Sequence, residues 1–357
     1  MKRLNVLITG VGGPTPRSFA IALKRYGKAY DYHFIATDTN PLAIGLYQKD
    51  LFDEAYVVPR GTDPDYWSAI NKIVHTHEID LAVILPEVEV VEWAKRQASS
   101  KLPCKALLPD EKLAELLVDK AGMTHILSVM KNVPRSIDFE RENPDWDTLE
   151  KELGYPFWVR SSSGTSGLGS LKVSSKEDLK NWITINPGVK KFLASEYLPG
   201  RNLACKLLYW QGKLVRAACA ERVNYIMSKV APSGITGNTS FGRLINEPDL
   251  VQEAKRALEF LFSKSQANAH GFFTVDFKED VNKKPFITEI NVRHVAFTQC
   301  FAAGGANFAE DTVRLQMEDK TFAKNYEMYQ FEEGLIFLRD VDALPILMKE
   351  HDLLRKP

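Results

Sequence analysis

Two neighbouring stretches decide how this chain is read: GFFTVDFKED (271–280) and, after a short polar turn, PFITEINVRH (285–294). Each has the pattern of a strand, and successive strand side chains point to opposite faces. Glu289, Asn291 and Arg293, spaced two apart, therefore share a face. Phe273, Val275 and Phe277 take the other face of the first strand, where they can enter a core, and Asp276 is left on the polar side. A hairpin of the two strands gathers two carboxylates, an amide oxygen and a guanidinium on one patch. Three hard oxygens suit Mg²⁺, which takes oxygen ligands and usually completes its shell with phosphates. An Arg beside them suits charge developing on a transferred phosphoryl group. The competing reading is an amphipathic hairpin with a polar outer face, because so short a motif also arises by chance.

Upstream, PFWVRS (156–161) and SLKV (170–173) read as strands flanking the Gly/Ser loop SSSGTSGLGS (161–170). Backbone amides and hydroxyls of such a loop can close over polyphosphate. It is not a Walker loop, since no G-K-[ST] follows the glycines, and its place between two strands fits a hairpin lid. Arg160 precedes it and can make bidentate phosphate contacts. SKEDLKNWI (175–183) reads as a helix capped by Ser175, and ELLVDKAGMTHILSVMKN (115–132) as a helix broken around Gly122. LACKLLYWQGKLVRAACAERV (203–223) reads as a hairpin turning at Gln211-Gly212, and LVQEAKRALEFLFSKS (250–265) as a helix, with another around 306–318.

At the N-terminus, LNVLITG (4–10), HFIATD (33–38) and DLAVILP (80–86) are short continuous apolar strands, with helical stretches such as RSFAIALKRYG (17–27) between them. That pattern implies a parallel sheet covered on both faces. Gly10-Val11-Gly12-Gly13 with Asp38 has the layout of a dinucleotide site, but Thr15 holds the third glycine position and Pro14 and Pro16 crowd the turn. The alternative is a tight structural turn, and an NAD-dependent oxidoreductase rests on these glycines alone.

The chain has 357 residues, 45% hydrophobic and 26% charged, which fits a soluble protein of two or three domains. Lys+Arg and Asp+Glu balance at 46 each, which argues against broad electrostatic capture of nucleic acid. Four cysteines without C-x-x-C spacing read as thiols in a reducing compartment. No apolar run of about 18 residues suggests a membrane span, and no signal peptide is evident, so a cytoplasmic protein is expected.

In order, these segments resemble the ATP-grasp superfamily over roughly residues 1–318, and the N-terminal LITGVGGPTPRSFAIALK, ATDTNPLAIGL and DLAVILPEVEVVEWA resemble its carbamoyl-phosphate-synthase-like branch. The resemblance implies an α/β and α+β architecture: a parallel-sheet preATP-grasp domain (1–108), then a two-subdomain ATP-grasp fold (109–318) with a lid at about 133–196. Residues 319–357 form an extension of unassigned structure. In LLVDKAG the resemblance puts Lys120 on ATP phosphate. It assigns Arg160, Ser161, Ser163, Gly164 and Gly167 to the second basic strand and lid. ASEYLPGRN resembles the adenine hinge, which implies contacts from Glu196, Tyr197 and Leu198. Asp276, Glu289 and Asn291 match metal positions for Mg²⁺ or Mn²⁺, and Arg293 matches the arginine that steadies the transferring phosphate. Asn202 stands where an acid usually binds the ribose, and Val292 replaces Pro in the usual N-P-R.

The implied activity is that of a carboxylate–amine ligase: ATP phosphorylates an acid, and an amine attacks the acylphosphate. Small-molecule acids and amines are then the partners, and homodimers are common in such families. If the layout holds, Arg222 and Asn238 lie near the substrates, although Arg222 also reads as an exposed strand-end residue. His294, Trp158 and Trp182 read as structural or core residues. Phosphorylation of bicarbonate or carbamate, or a non-catalytic ATP-binding role suggested by Asn202, are the alternatives.

Overall fold

The computed structural model describes residues 1–162 and 169–340. The expected lid residues Ser163, Gly164 and Gly167 lie outside the described residues, as do 341–357. The N-terminal segment runs β1 (Arg3–Thr9), α1 (Pro14–Tyr26), β2 (Asp31–Asp38), β3 (Glu54–Val57), α2 (Tyr66–Thr76), β4 (Leu81–Val83), α3 (Glu87–Ala98) and β5 (Lys105–Ala106). The sheet order is β3-β2-β1-β4-β5 and every pairing is parallel, as the apolar strands predict. Val6 and Ile8 face α1, while Leu7 and Ile35 face α2 and α3.

Next come α4 (Glu111–Val118) and α5 (Lys120–Leu127). The break between them falls at Asp119, three residues before the expected Gly122. Asp119 caps α5 by accepting from the Gly122 amide at 3.1 Å. Gly122 sits inside α5, where a Cβ would come within 2.5 Å of the Asp119 carboxylate, so the glycine permits the cap and does not itself break the helix.

A small unit follows: β6 (Ser136–Glu140), α6 (Trp146–Leu153), β7 (Phe157–Ser161), β8 (Leu171–Val173), α7 (Lys176–Ile185) and β9 (Lys191–Glu196). Its antiparallel order is β6-β9-β7-β8, and Ser175 caps α7 as expected, accepting from the Asp178 amide at 3.1 Å.

The large sheet contains β10 (Asn202–Trp210), β11 (Lys213–Tyr225) and β12 (Thr239–Ile245), then, after α8 (Pro248–Ser265), β13 (Gly271–Glu279) and β14 (Pro285–Asn291). α9 (Thr298–Ala303), α10 (Phe308–Gln316), β15 (Glu327–Met328) and β16 (Ile336–Leu338) complete it. The order is β14-β13-β10-β11-β12-β16, with β15 beside β11. Residues 319–340 thus supply two strands of this sheet. The β10–β11 hairpin turns at Gln211-Gly212 as expected, both residues having positive φ. One face of the sheet buries Cys205, Leu207, Phe273, Val275 and Phe277 against α4 and α8, and the other buries Phe272 with Phe297, Phe301 and Phe308. The expected α/β and α+β architecture is the one the chain has: a parallel N-terminal sheet, then an antiparallel four-stranded sheet and a large sheet that is antiparallel except where β15 pairs with β11.

Candidate active site

A cleft of about 980 Å³ opens where the N-terminal sheet, the small unit and the large sheet meet. The β13–β14 hairpin forms its floor. Asp276 pairs across the ladder with Glu289, and a bulge follows at Phe277. Asn291 Nδ2 lies 3.5 Å from Asp276 Oδ2. The strand ends at Asn291, so Arg293 is not held by the ladder as the alternation assumed. It stands in the following turn and still lines the cleft.

Basic side chains from three elements surround the hairpin. Lys120, at the start of α5, places Nζ 3.2 Å from Glu289 Oε1. Arg160 on β7 places Nη1 3.7 Å from Glu289 Oε2 and donates from Nη2 to Thr288 O at 2.9 Å. Arg222 on β11 lies 3.3 Å from Asp276 Oδ2. It also donates to Thr239 Oγ1 at 2.9 Å and Gly237 O at 2.8 Å, so it is a cleft residue and not an exposed strand-end arginine.

Burial pushes the Asp276 carboxyl up to about 6 against the pull of Arg222. Burial also pushes Glu289 up, but Lys120 and Arg160 overcome it and hold this carboxyl below its ordinary value. The two acids thus differ: the cations around Glu289 favour its ionised form, whereas burial disfavours that of Asp276. Asp276 Oδ1 is buried without a hydrogen-bond partner, as suits an oxygen that awaits a ligand. Among the described residues no three His, Cys, Asp or Glu side chains gather to hold a metal unaided. Two carboxylates and Asn291, its amide turned to present oxygen, fit a hard cation that fills its shell with phosphate oxygens.

Ser161, Tyr197, Leu198 and Asn202 line the cleft, as does Glu196. The Glu196 carboxylate is already engaged by Arg135, from the backbone N at 3.0 Å and from Nε at 2.6 Å. Asn238 also lines the cleft. Trp158 departs from its reading as core. It shares the open face of β7 with Arg160, because Phe157 and Val159 take the buried face. Trp182 packs beside the small unit's core and donates to Gly169 O at 2.8 Å. His294 is buried, stacked on Phe272 at 3.6 Å, with burial and then Lys206 pushing its pKa well down, so it is structural as read.

Sequence reasoning missed Glu87, Lys172 and Lys206. Glu87 Oε1 lies 2.8 Å from Arg293 Nη2, and Lys172 lies over the Tyr197 ring at 4.4 Å. The N-terminal glycines form a structural turn. Gly10 adopts φ +69°, and Asp38 accepts from the Gly12 and Asn40 amides at 2.7 and 2.9 Å, which ties the turn to the end of β2.

The sheets and the cleft between them define the ATP-grasp fold. Among solved structures, N5-carboxyaminoimidazole synthetase from Staphylococcus aureus, complexed with ADP, superposes with a TM-score of 0.68 at 17% identity, covering 95% of this chain and 81% of that one. L-amino acid ligase from Bacillus licheniformis superposes with a TM-score of 0.62 at 15% identity over 88% of this chain and 75% of that one. In sequence, D-alanine–D-alanine ligase A of Brucella suis is 23% identical over 235 residues, 61% of this chain and 63% of that protein. D-alanine–D-alanine ligase B of Clostridium perfringens is 32% identical over 69 residues, 18% of this chain and 22% of that protein. The chain thus covers less than two thirds of the curated relatives it matches. No family model matches it. Among the described residues no helix is long and apolar enough to cross a membrane.

Proposed function

We propose that the protein is an ATP-dependent carboxylate–amine ligase that forms an amide through an acylphosphate and releases ADP and phosphate. The observation that carries this reading is the Asp276–Glu289 pair, set across one hairpin and ringed by Lys120, Arg160 and Arg293 in a single cleft. A bound Mg²⁺ would neutralise phosphate charge, with Asp276, Glu289 and Asn291 as its protein ligands. Lys120 and Arg160 hold the phosphates, and they are kept in place by Glu289 until phosphate arrives. Arg293 offers its guanidinium to the transferring phosphoryl group. Backbone at Tyr197 and Leu198 fits the adenine, because the Glu196 carboxylate belongs to Arg135. Such a site acts by positioning and charge neutralisation. An acylphosphate must also be shielded from water, which is the role the Gly/Ser loop is suited to.

The test is phosphate release from ATP and Mg²⁺ against pools of small carboxylates and amines, with bicarbonate plus ammonia as a separate arm. ADP formation that requires both an acid and an amine supports the ligase. ADP formed with bicarbonate and ammonia alone moves the assignment to carbamoyl phosphate chemistry. ATP binding without turnover in any arm overturns the proposal.

A further inference from the structure

Lys278 is a charged residue of the cleft that phosphate transfer leaves unused. It lies on β13 two positions beyond Asp276, so the two share a face. Across the ladder Lys278 stands opposite Asn202 on β10, and Asn202 stands opposite Arg222 on β11. The three form one row over three strands, and all three line the cleft. The neighbouring row on that face holds Glu289, Asp276 and Ala204. Two strand residues separate the rows, roughly 7 Å at about 3.4 Å per residue. Asn202 opens β10 a few residues after Tyr197 and Leu198, so its row is displaced from the two acids toward the segment that fits the base.

Of the three, Arg222 is committed. It pairs with Asp276 and donates to Thr239 Oγ1 and Gly237 O. Lys278 and Asn202 are not: among the described residues neither side chain makes a hydrogen bond or an ion pair. Lys278 is nonetheless half-buried, and burial lowers its pKa against the opposing influence of Glu279. Glu279 takes the other face of β13, where Arg201 binds both its oxygens, at 3.0 and 2.6 Å. A partly withdrawn ammonium without partners is unfavourable, and a leucine or methionine would cover the sheet there without that penalty. A ligand that brings acceptors removes it. An ammonium has three donors and no acceptor, whereas a side-chain amide has both. A hydroxyl set between the two accepts from Lys278 Nζ and donates to Asn202 Oδ1. A sugar diol offers two such hydroxyls, and a nucleotide carries its sugar between its phosphates and its base.

We propose that Lys278, with Asn202, holds the ribose diol of the bound nucleotide, and that Lys278 sets the preference for ribose over a deoxygenated sugar. Calling the ligand a nucleotide rests on the ligase reading. The contact is the same whichever acid and amine are joined.

Isothermal titration of the full chain with Mg²⁺·ADP and with Mg²⁺·2′,3′-dideoxy-ADP is the test, since the second nucleotide lacks both hydroxyls. The wild type should bind ADP roughly tenfold more tightly or better, the order expected of hydrogen bonds to a charged group. Lys278→Met keeps the length and apolar stem of the side chain. It should weaken ADP about tenfold and leave the dideoxy nucleotide within about twofold, so that the preference collapses. Affinity for the dideoxy nucleotide then also reports that the variant is folded. Lys278→Arg, which keeps a donor, should retain part of the preference. If Lys278→Met fails to fold, Lys278→Gln makes the same comparison. Equal affinity of the wild type for both nucleotides, or a preference that survives in Lys278→Met, overturns the ribose contact. An equal loss for both nucleotides puts the ammonium on a phosphate and overturns it too. In each of these outcomes the nucleotide still binds and the ligase reading stands. A wild type that binds neither nucleotide overturns that reading, and the ribose contact with it.

Discussion

Arg293 Nη2 lies 2.8 Å from Glu87 Oε1, which ties the end of the β13–β14 hairpin to the first turn of α3 beside the N-terminal sheet. Both side chains are largely buried, at 16% and 17% exposure, so the pair is only weakly screened. Past the end of β14 no ladder fixes Arg293. Among the described residues the guanidinium's other hydrogen bond runs from Nη1 to the adjacent His294 carbonyl at 3.1 Å, while the Arg293 carbonyl accepts from Thr274 Oγ1 at 3.4 Å. Glu87 is therefore the group that aims the guanidinium, and through it the N-terminal sheet takes part in the site.

Glu87→Gln keeps the shape of the side chain and removes its charge. Arg293 then loses its directed partner but not its own charge. The expected outcome is a fall in kcat of roughly tenfold to a hundredfold, about 1–3 kcal/mol of transition-state stabilisation. The KM for ATP should stay within about twofold, because Lys120 and Arg160 are untouched. Steady-state phosphate release measures both. An unchanged kcat would show that Arg293 is positioned without Glu87.

Asp276 supplies a pH prediction. Its carboxyl is raised from 3.8 to about 6, so between those values the folded chain holds a proton that the unfolded chain has released. The stability this group contributes is complete below pH 4 and lost as pH rises through 6. Cation binding runs the opposite way, because the metal needs the ionised form. Mg²⁺-dependent ADP affinity should fall as pH drops below about 6, by up to tenfold per unit, and Asp276→Asn should flatten that slope. Glu289→Ala should abolish Mg²⁺-dependent turnover with the fold intact by circular dichroism. Wild-type rates in that variant would remove the metal assignment.

Strand alternation made Asp276, Glu289 and Asn291 legible, because a period of two assigns faces from spacing alone. It put Arg293 on the right patch for an incomplete reason, since β14 ends at Asn291 and alternation says nothing of where a strand ends. Trp158 was misjudged for a related reason: alternation groups it with Arg160, but residue type suggested core, and only the assembled cleft shows that face to be open. The Gly122 break was misplaced because a glycine in a helix has two explanations, and the Asp119 cap was the operative one. Glu87 and Lys206 depend on partners brought from far along the chain, Arg293 for one and four phenylalanines for the other, and no local pattern encodes such meetings.

Trp158 shares a strand face with Arg160 and lines the cleft near Tyr197, on the side expected to hold the base. Trp158→Ala should weaken ADP binding by about 1–2 kcal/mol, roughly fivefold to thirtyfold, the range for one aromatic surface against a base. Isothermal titration with Mg²⁺·ADP measures it. An unchanged affinity would place the adenine elsewhere in the cleft.

Lys206 gives the sharpest stability prediction. Its ammonium is fully buried, 4.4 Å from the Phe301 ring and 5.0 Å from Phe297, with Phe272 and Phe308 each at 6.0 Å. Its hydrogen bond goes to Thr298 Oγ1 at 3.1 Å. Burial lowers its pKa from 10.5 to about 7, against the opposing influence of Cys300 and Asp276, and it in turn depresses the nearby His294. Between pH 7 and 10.5 the unfolded chain binds a proton that the folded chain has given up. Stability therefore rises with pH across that window, and the cost of the buried charge is greatest below it. Cation–π contacts return only about 1–2 kcal/mol of that cost. Lys206→Met fills the same space with no charge to bury, so it should raise the unfolding free energy near pH 7 by on the order of 3 kcal/mol. It should also erase this residue's part of the rise in stability between pH 7 and 9.5. Urea unfolding of the wild type and the variant at both pH values decides it. A variant that is less stable at pH 7, with the wild-type pH slope intact, would show that the ammonium is paired more strongly than its single hydrogen bond and aromatic surroundings indicate.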